Sequence, residues 1–217
     1  YIQWMDDLGV MAQIFPEIEP MKGCMQNAYH HKDVWQHSLA VLENCEYITS
    51  HLPEFFGDMA GHVGEILNAG GRLQLLKLAA LLHDVGKPGT RGVHPENSRY
   101  TFYGHDRYGA EKVIEIAKRL RFANKECRLL EFLVSEHLHI MALAREGVKQ
   151  STLMRLIRKA KDDFISLLVL GMSDIKGKLG RDSSEKERTH YINWAADMAG
   201  RFFNEIKPLF ARTPLVT

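Results

Sequence analysis

Residues 72 to 84 carry the most apolar helical pattern in the chain, and the two residues that end it, His83 and Asp84, are ionisable. A segment apolar nearly all round marks a central buried helix, and Gly86, Pro88 and Gly89 then break it. Burying a carboxylate at the end of such a helix costs several kcal/mol, on the order of the usual ion penalty, unless a cation or hydrogen bonds compensate it. The fold must therefore bring partners to Asp84. Histidine and aspartate are ligands of first-row metals, and Ala79 and Ala80, one turn earlier, leave room for other helices to deliver side chains. Gly86 is expected to let the chain turn sharply so that Lys87 points back at the same centre.

The rest of the chain predicts helices to surround that one. Val34, Val41, Cys45 and Ile48 recur at helical spacing, predicting a helix over about 32–51 that Pro53 closes, with His37 on its apolar face. A polar, irregular loop is expected over 90–104. Helices follow over about 105–120, then from a cap at Asn124 with His137 on the inner stripe, and then from Ser151. Phe164 to Gly171 reads as a buried helix with Asp174 just beyond, and a last amphipathic helix spans about 188–207. Period-2 alternation is absent, so the expected fold class is all-α. Residues 1–30 read as a lead-in helix and turn, and 31–217 as one compact domain. With 45% hydrophobic and 25% charged residues, disorder and miniprotein scaffolds are excluded. The longest apolar stretch, Leu73 to Leu82, is interrupted by Gln74 and Lys77 and is too short to cross a bilayer. Three scattered cysteines argue against disulfides and for a reducing, cytoplasmic setting, and a first residue of Tyr suggests a fragment of a longer protein. A net charge of +1 leaves no global signature of nucleic-acid binding.

Histidine is abundant, eleven residues in all, and several fall in a telling order around the pair. His83-Asp84-Val85-Gly86-Lys87 resembles the signature of the HD-domain metal-dependent phosphohydrolase superfamily. With ordinary residue usage such a string arises by chance in a chain of this length on the order of once in a thousand. The resemblance extends residue by residue: His37 in Val-Trp-Gln-His-Ser-Leu matches the first metal-ligating histidine, and Asp174 in Met-Ser-Asp-Ile-Lys-Gly-Lys matches the final aspartate. His105 and His137 match the two histidines that binuclear members add. His139 is the rival to His137, since both lie on one helix but point in different directions. Met-Asp-Asp-Leu-Gly-Val at 5–10, Phe-Pro-Glu-Ile at 15–18, Gln26 to His31, Phe122 to Glu126 and Ser173 to Gly177 are similar to the HD half of bacterial tRNA nucleotidyltransferases and related poly(A) polymerases. The paired aspartates of a nucleotidyltransferase head are missing from this sequence.

The resemblance implies one or two divalent ions, from among Mn, Fe, Co, Ni, Zn and Mg, held by His37, His83, Asp84, His105, His137 and Asp174, with Asp84 and Lys87 in catalytic roles. It implies metal-activated water cleaving a phosphoester: a 2',3'-cyclic phosphodiester, a nucleotide or a phosphomonoester. His31, Lys87, Lys176 and Arg181 are the expected contacts to a phosphorylated small molecule or nucleotide. The alternative is an RNA-binding body, with tRNA as partner and the metal site structural or vestigial. The basic cluster Lys118, Arg119, Arg121, Lys125 and Arg128 suits either an RNA backbone or plain solvation, with solvation favoured.

Overall fold

Helical patterns become helices throughout residues 1–26, 32–145, 149–178 and 185–211, the portions that the computed structural model describes. The lead-in consists of α1 (Ile2–Asp7), α2 (Val10–Ile14) and a 3-10 turn at Pro16–Met21, and it buries Met11, Ile18 and Met21 in the common core. It is also fastened by polar contacts. The Trp35 indole N–H donates to Asp6 Oδ2 at 2.7 Å, and the Arg119 guanidinium donates to both carboxylate oxygens of Glu17 at 2.8 Å. One member of the basic cluster is thus engaged in holding the lead-in.

Asp33 opens α3 (Val34–Ser50) with a capping box: its side chain accepts from Gln36 N at 2.8 Å while Gln36 Oε1 reaches back to Asp33 N at 3.4 Å. Pro53 stops that helix as expected and stands in the first turn of α4 (Leu52–Phe56). A further helix, α5 (Ala60–Asn68), occupies a stretch the sequence patterns leave unassigned; it packs Val63, Ile66 and Leu67 inward. Then comes α6 (Arg72–Leu82), whose buried face holds Leu75, Leu76 and Ala79 to Leu82. Where Gly86, Pro88 and Gly89 read as a break, a short α7 (Lys87–Thr90) forms, and the expected irregular loop contains a small antiparallel hairpin, β1 (Gly92–Val93) with β2 (Tyr100–Thr101), paired Gly92 to Thr101 and Val93 to Tyr100. The Arg91 guanidinium stacks 3.8 Å over the Tyr100 ring and pins it. Two-residue strands are too short to leave an alternating signature in a sequence.

The second half contains α8 (His105–Arg119), α9 (Asn124–Leu143), α10 (Gln150–Ala160), α11 (Asp163–Gly177), α12 (Glu185–Arg201) and, after a π-helical turn at Phe202–Ile206, α13 (Lys207–Ala211). Asn124 is the first helical residue rather than the cap. The start is secured by Glu126, whose carboxylate accepts from Ala123 N at 2.7 Å. The fold is all-α. Its axis is α11, buried without interruption from Phe164 to Asp174 and packed against α3, α6, α9 and α12. Small residues allow that approach: a Cβ on Gly177 would lie 2.8 Å from Val41 Cγ2 on α3. Among the described residues no helix is long and apolar enough to cross a membrane.

Candidate metal centre

Five helical elements each carry a polar group to one point in the interior. His37 lies one turn into α3, His83 and Asp84 follow the last residue of α6, His105 opens α8, His137 sits on α9 and Asp174 on α11. All six are buried, none more than 6% exposed. Asp84 is the hub. Its Oδ1 is 3.3 Å from His105 Nε2 and 3.8 Å from His137 Nε2; its Oδ2 is 3.2 Å from His83 Nε2 and 3.7 Å from His37 Nε2. Asp174 Oδ1 lies 3.1 Å from His37 Nε2. The ring centroids of His37 and His83, His83 and His137, and His105 and His137 are each 5.3 Å apart. Ligand atoms fall into two triads, His37, His83 and Asp174, and Asp84, His105 and His137, each with its atoms within 4.8 Å of one another.

The hydrogen bonds at the far side of three rings reveal what the near side presents. His83 Nδ1 lies 2.9 Å from the Ala80 carbonyl oxygen, His105 Nδ1 2.7 Å from that of Phe102, and His137 Nδ1 2.6 Å from that of Val134. A carbonyl only accepts, so each Nδ1 carries the hydrogen, and in the neutral ring Nε2 is left as a bare lone pair. Those three Nε2 atoms are buried, make no hydrogen bond and face the Asp84 carboxylate. Lone pairs converging on a carboxylate repel unless something positive stands between them. Carbonyl-oriented imidazoles beside carboxylates form a donor set that fits a divalent ion of the first transition row.

Electrostatics within the cluster follow the same logic. Burial pushes the carboxyls of Asp84 and Asp174 up, but His83 and Lys87 around the first, and Lys178 and His37 around the second, hold both well below the ordinary carboxylate range. Burial lowers His37, although its bond to Asp174 works the other way. Burial brings His137 down to about 4, keeping its ring neutral. At His83 burial is outweighed by Asp84 and Asp174, so its pKa rises. Two buried carboxylates draw positive charge inward by whatever route is open.

Lys87 points at the centre, its Nζ 2.6 Å from Asp84 Oδ2 and 2.7 Å from Gln26 Oε1. The reason differs from the expected glycine turn. Gly86 has ordinary right-handed helical angles, φ −79 and ψ −17. Its missing side chain serves close packing instead: a Cβ would collide with the His105 carbonyl oxygen and stand 2.6 Å from Gly109 N on α8. Lys176 is not brought to the centre. Its Nζ lies 5.8 Å and 5.5 Å from the ring centroids of Tyr47 and Phe55, because two residues beyond Asp174 is the other side of a helix. Lys178, a full turn beyond Asp174, reaches it, with Nζ 3.3 Å from Oδ2. His31 and Arg181 lie outside the described residues. His139, the rival of His137, faces outward with Nδ1 2.8 Å from Glu136 Oε2, and Lys159 joins the same carboxylate at 2.6 Å. Gln26, 5% exposed, was given no role by sequence reasoning, since a loop glutamine carries no periodic or spacing signal.

The chain is 29% identical over 188 residues to the A-adding tRNA nucleotidyltransferase of Deinococcus radiodurans, covering 87% of this chain and 38% of that protein. It is 29% identical over 208 residues to the multifunctional CCA protein of Pseudomonas fluorescens, covering 92% and 44%. To the bifunctional uridylyltransferase/uridylyl-removing enzyme of Ruegeria pomeroyi it is 30% identical over 181 residues, covering 80% and 18%. The chain therefore spans less than half the length of these relatives. The sequence profile of the HD domain matches residues 34–167, the interval that runs from the start of α3 into α11 and holds five of the six converging side chains, and the chain belongs to the HD domain family.

Proposed function

We propose that this chain is a metal-dependent phosphohydrolase. The observation that carries the reading is the set of three histidines whose Nδ1 atoms are committed to carbonyls and whose buried Nε2 lone pairs converge on one carboxylate. His37, His83 and Asp174 would hold one ion and Asp84, His105 and His137 a second, with Asp84 close enough to the first group to serve both. A bound divalent cation supplies Lewis-acid polarisation of a phosphoryl oxygen and lowers the pKa of water. The protein's own residues supply the rest. Asp84 orients the attacking water by accepting its hydrogen bond, and Lys87 neutralises charge that develops on the phosphoryl oxygens. Detaching a uridylyl group breaks a bond to phosphorus, so the relative named for uridylyl removal supports phosphoester cleavage. Substrates of the reading are 2',3'-cyclic phosphodiesters, nucleotides and phosphomonoesters.

The tRNA nucleotidyltransferases among the relatives favour a second reading, an RNA-binding body within a longer protein. One experiment separates the two: metal analysis of the purified chain, then a phosphoester panel with Mn²⁺, Co²⁺ or Ni²⁺ added back. Turnover that Asp84→Ala abolishes together with bound metal supports the hydrolase. Retained turnover in a metal-free Asp84→Ala protein refutes it, and no turnover with salt-sensitive tRNA binding points to the RNA body.

A further inference from the structure

Gln26 is a buried carboxamide whose orientation is dictated by a neighbour. Lys87 Nζ has hydrogens and no lone pair, so the atom 2.7 Å from it must be the oxygen, and Nε2 is necessarily the other end. That Nε2 is buried and makes no hydrogen bond. Its position is set by the start of α3. Gly23 N donates to Asp33 Oδ2 at 2.8 Å, Val34 N donates to the Cys24 carbonyl at 3.0 Å, and Met25 pairs with Asp33 as an antiparallel bridge. The capping aspartate of α3 thus straps residues 23–25 in place and delivers Gln26 to Lys87, which in turn contacts Asp84 at 2.6 Å. A buried N–H₂ group without an acceptor is costly, and such groups persist where an acceptor arrives with a ligand.

We propose that Gln26 is a substrate-binding residue, its Nε2 hydrogens and the remaining N–H of Lys87 forming a donor pair for a phosphoryl oxygen placed beside Asp84. The inference rests on the phosphohydrolase reading and names how that site grips the group it cleaves. Lys87 contributes charge. Gln26 contributes direction, because a carboxamide anchored through its oxygen can offer its hydrogens along one line only, whereas an ammonium turns freely.

Gln26→Glu keeps the size and an oxygen for Lys87 but removes both donors, and Gln26→Met removes the donors without adding charge. Each variant is made in the whole 217-residue chain, loaded with Mn²⁺ and assayed with inorganic phosphate, read as a phosphate-dependent thermal shift and as inhibition of bis(p-nitrophenyl) phosphate hydrolysis. The expected result is that both variants keep wild-type metal stoichiometry and lose about tenfold in phosphate affinity, the loss in turnover falling on KM. Wild-type phosphate affinity in Gln26→Glu overturns the proposal, as does a loss confined to Gln26→Glu, which would reflect charge repulsion alone. Loss of metal in both variants also overturns it, since Gln26 would then act through Lys87 and Asp84. If the wild type binds phosphate through Gln26 but hydrolyses no ester, the phosphohydrolase reading fails and this site stands; if it does neither, both fail.

Discussion

An aspartate only 1% exposed stays ionised when positive charge or hydrogen donors reach it, and at Asp84 the nearest is the Lys87 ammonium at 2.6 Å. The adjacent His-Asp pair was visible in the sequence because ionisable residues seldom end so apolar a helix. The lone histidines were visible only as polar residues on apolar faces, and helical phase decided between His137 and its neighbour His139. Phase also turns Lys176 away from Asp174, since proximity in sequence is not proximity in space. The cysteines allow a test of burial at this scale. Burial pushes the Cys45 thiol up to about 12, and burial also raises Cys24, while Cys127 is partly exposed. The thiolate is the species that attacks a thiol reagent, so at about pH 8 native protein should label at Cys127 first, with Cys45 labelled only on unfolding. Peptide mapping by mass spectrometry reads the order; early labelling of Cys45 would contradict the buried placement.

Helices with long periodic faces were readable one by one, and the elements that escaped notice are the nine-residue α5 and others shorter still. The five-residue α4 and the two-residue strands have no period to read, and they exist because tertiary contacts hold them, as Arg91 holds Tyr100. The junction of α6 with α8 shows how element packing governs the site. Gly86 and Gly109 let the two backbones approach so closely that His105, the first residue of α8, faces Asp84. Gly86→Ala should therefore destabilise the protein by about 1–3 kcal/mol, the usual cost of overpacking, and should weaken metal binding by displacing His105. Denaturant unfolding and metal titration check both parts. Unchanged stability would mean the backbones can separate at little cost.

For the molecule as a whole, five elements meet at a centre whose members are as much as 137 residues apart, so occupying that centre should stabilise the entire fold. A ligand bound only by the native state at about 100 times its Kd adds about 2.7 kcal/mol, and Mn²⁺ should raise the midpoint of thermal unfolding accordingly, with reversal by a chelator. A midpoint indifferent to Mn²⁺, Co²⁺ and Ni²⁺ would count against a metal centre. The same distances divide what could be read beforehand from what could not. Hydrophobic period and residue type are local properties, so the all-α class and the buried helix that leads into His83 and Asp84 were available from the chain as written, while the other candidate ligands came from the resemblance to the HD superfamily. Convergence is not local. That three imidazoles turn bare nitrogens on one carboxylate and that Gln26 stands with unused donors beside Lys87 depend on how helices cross and on which face each presents. Crossing geometry comes from packing between segments far apart in the sequence, and no periodicity within a segment encodes it.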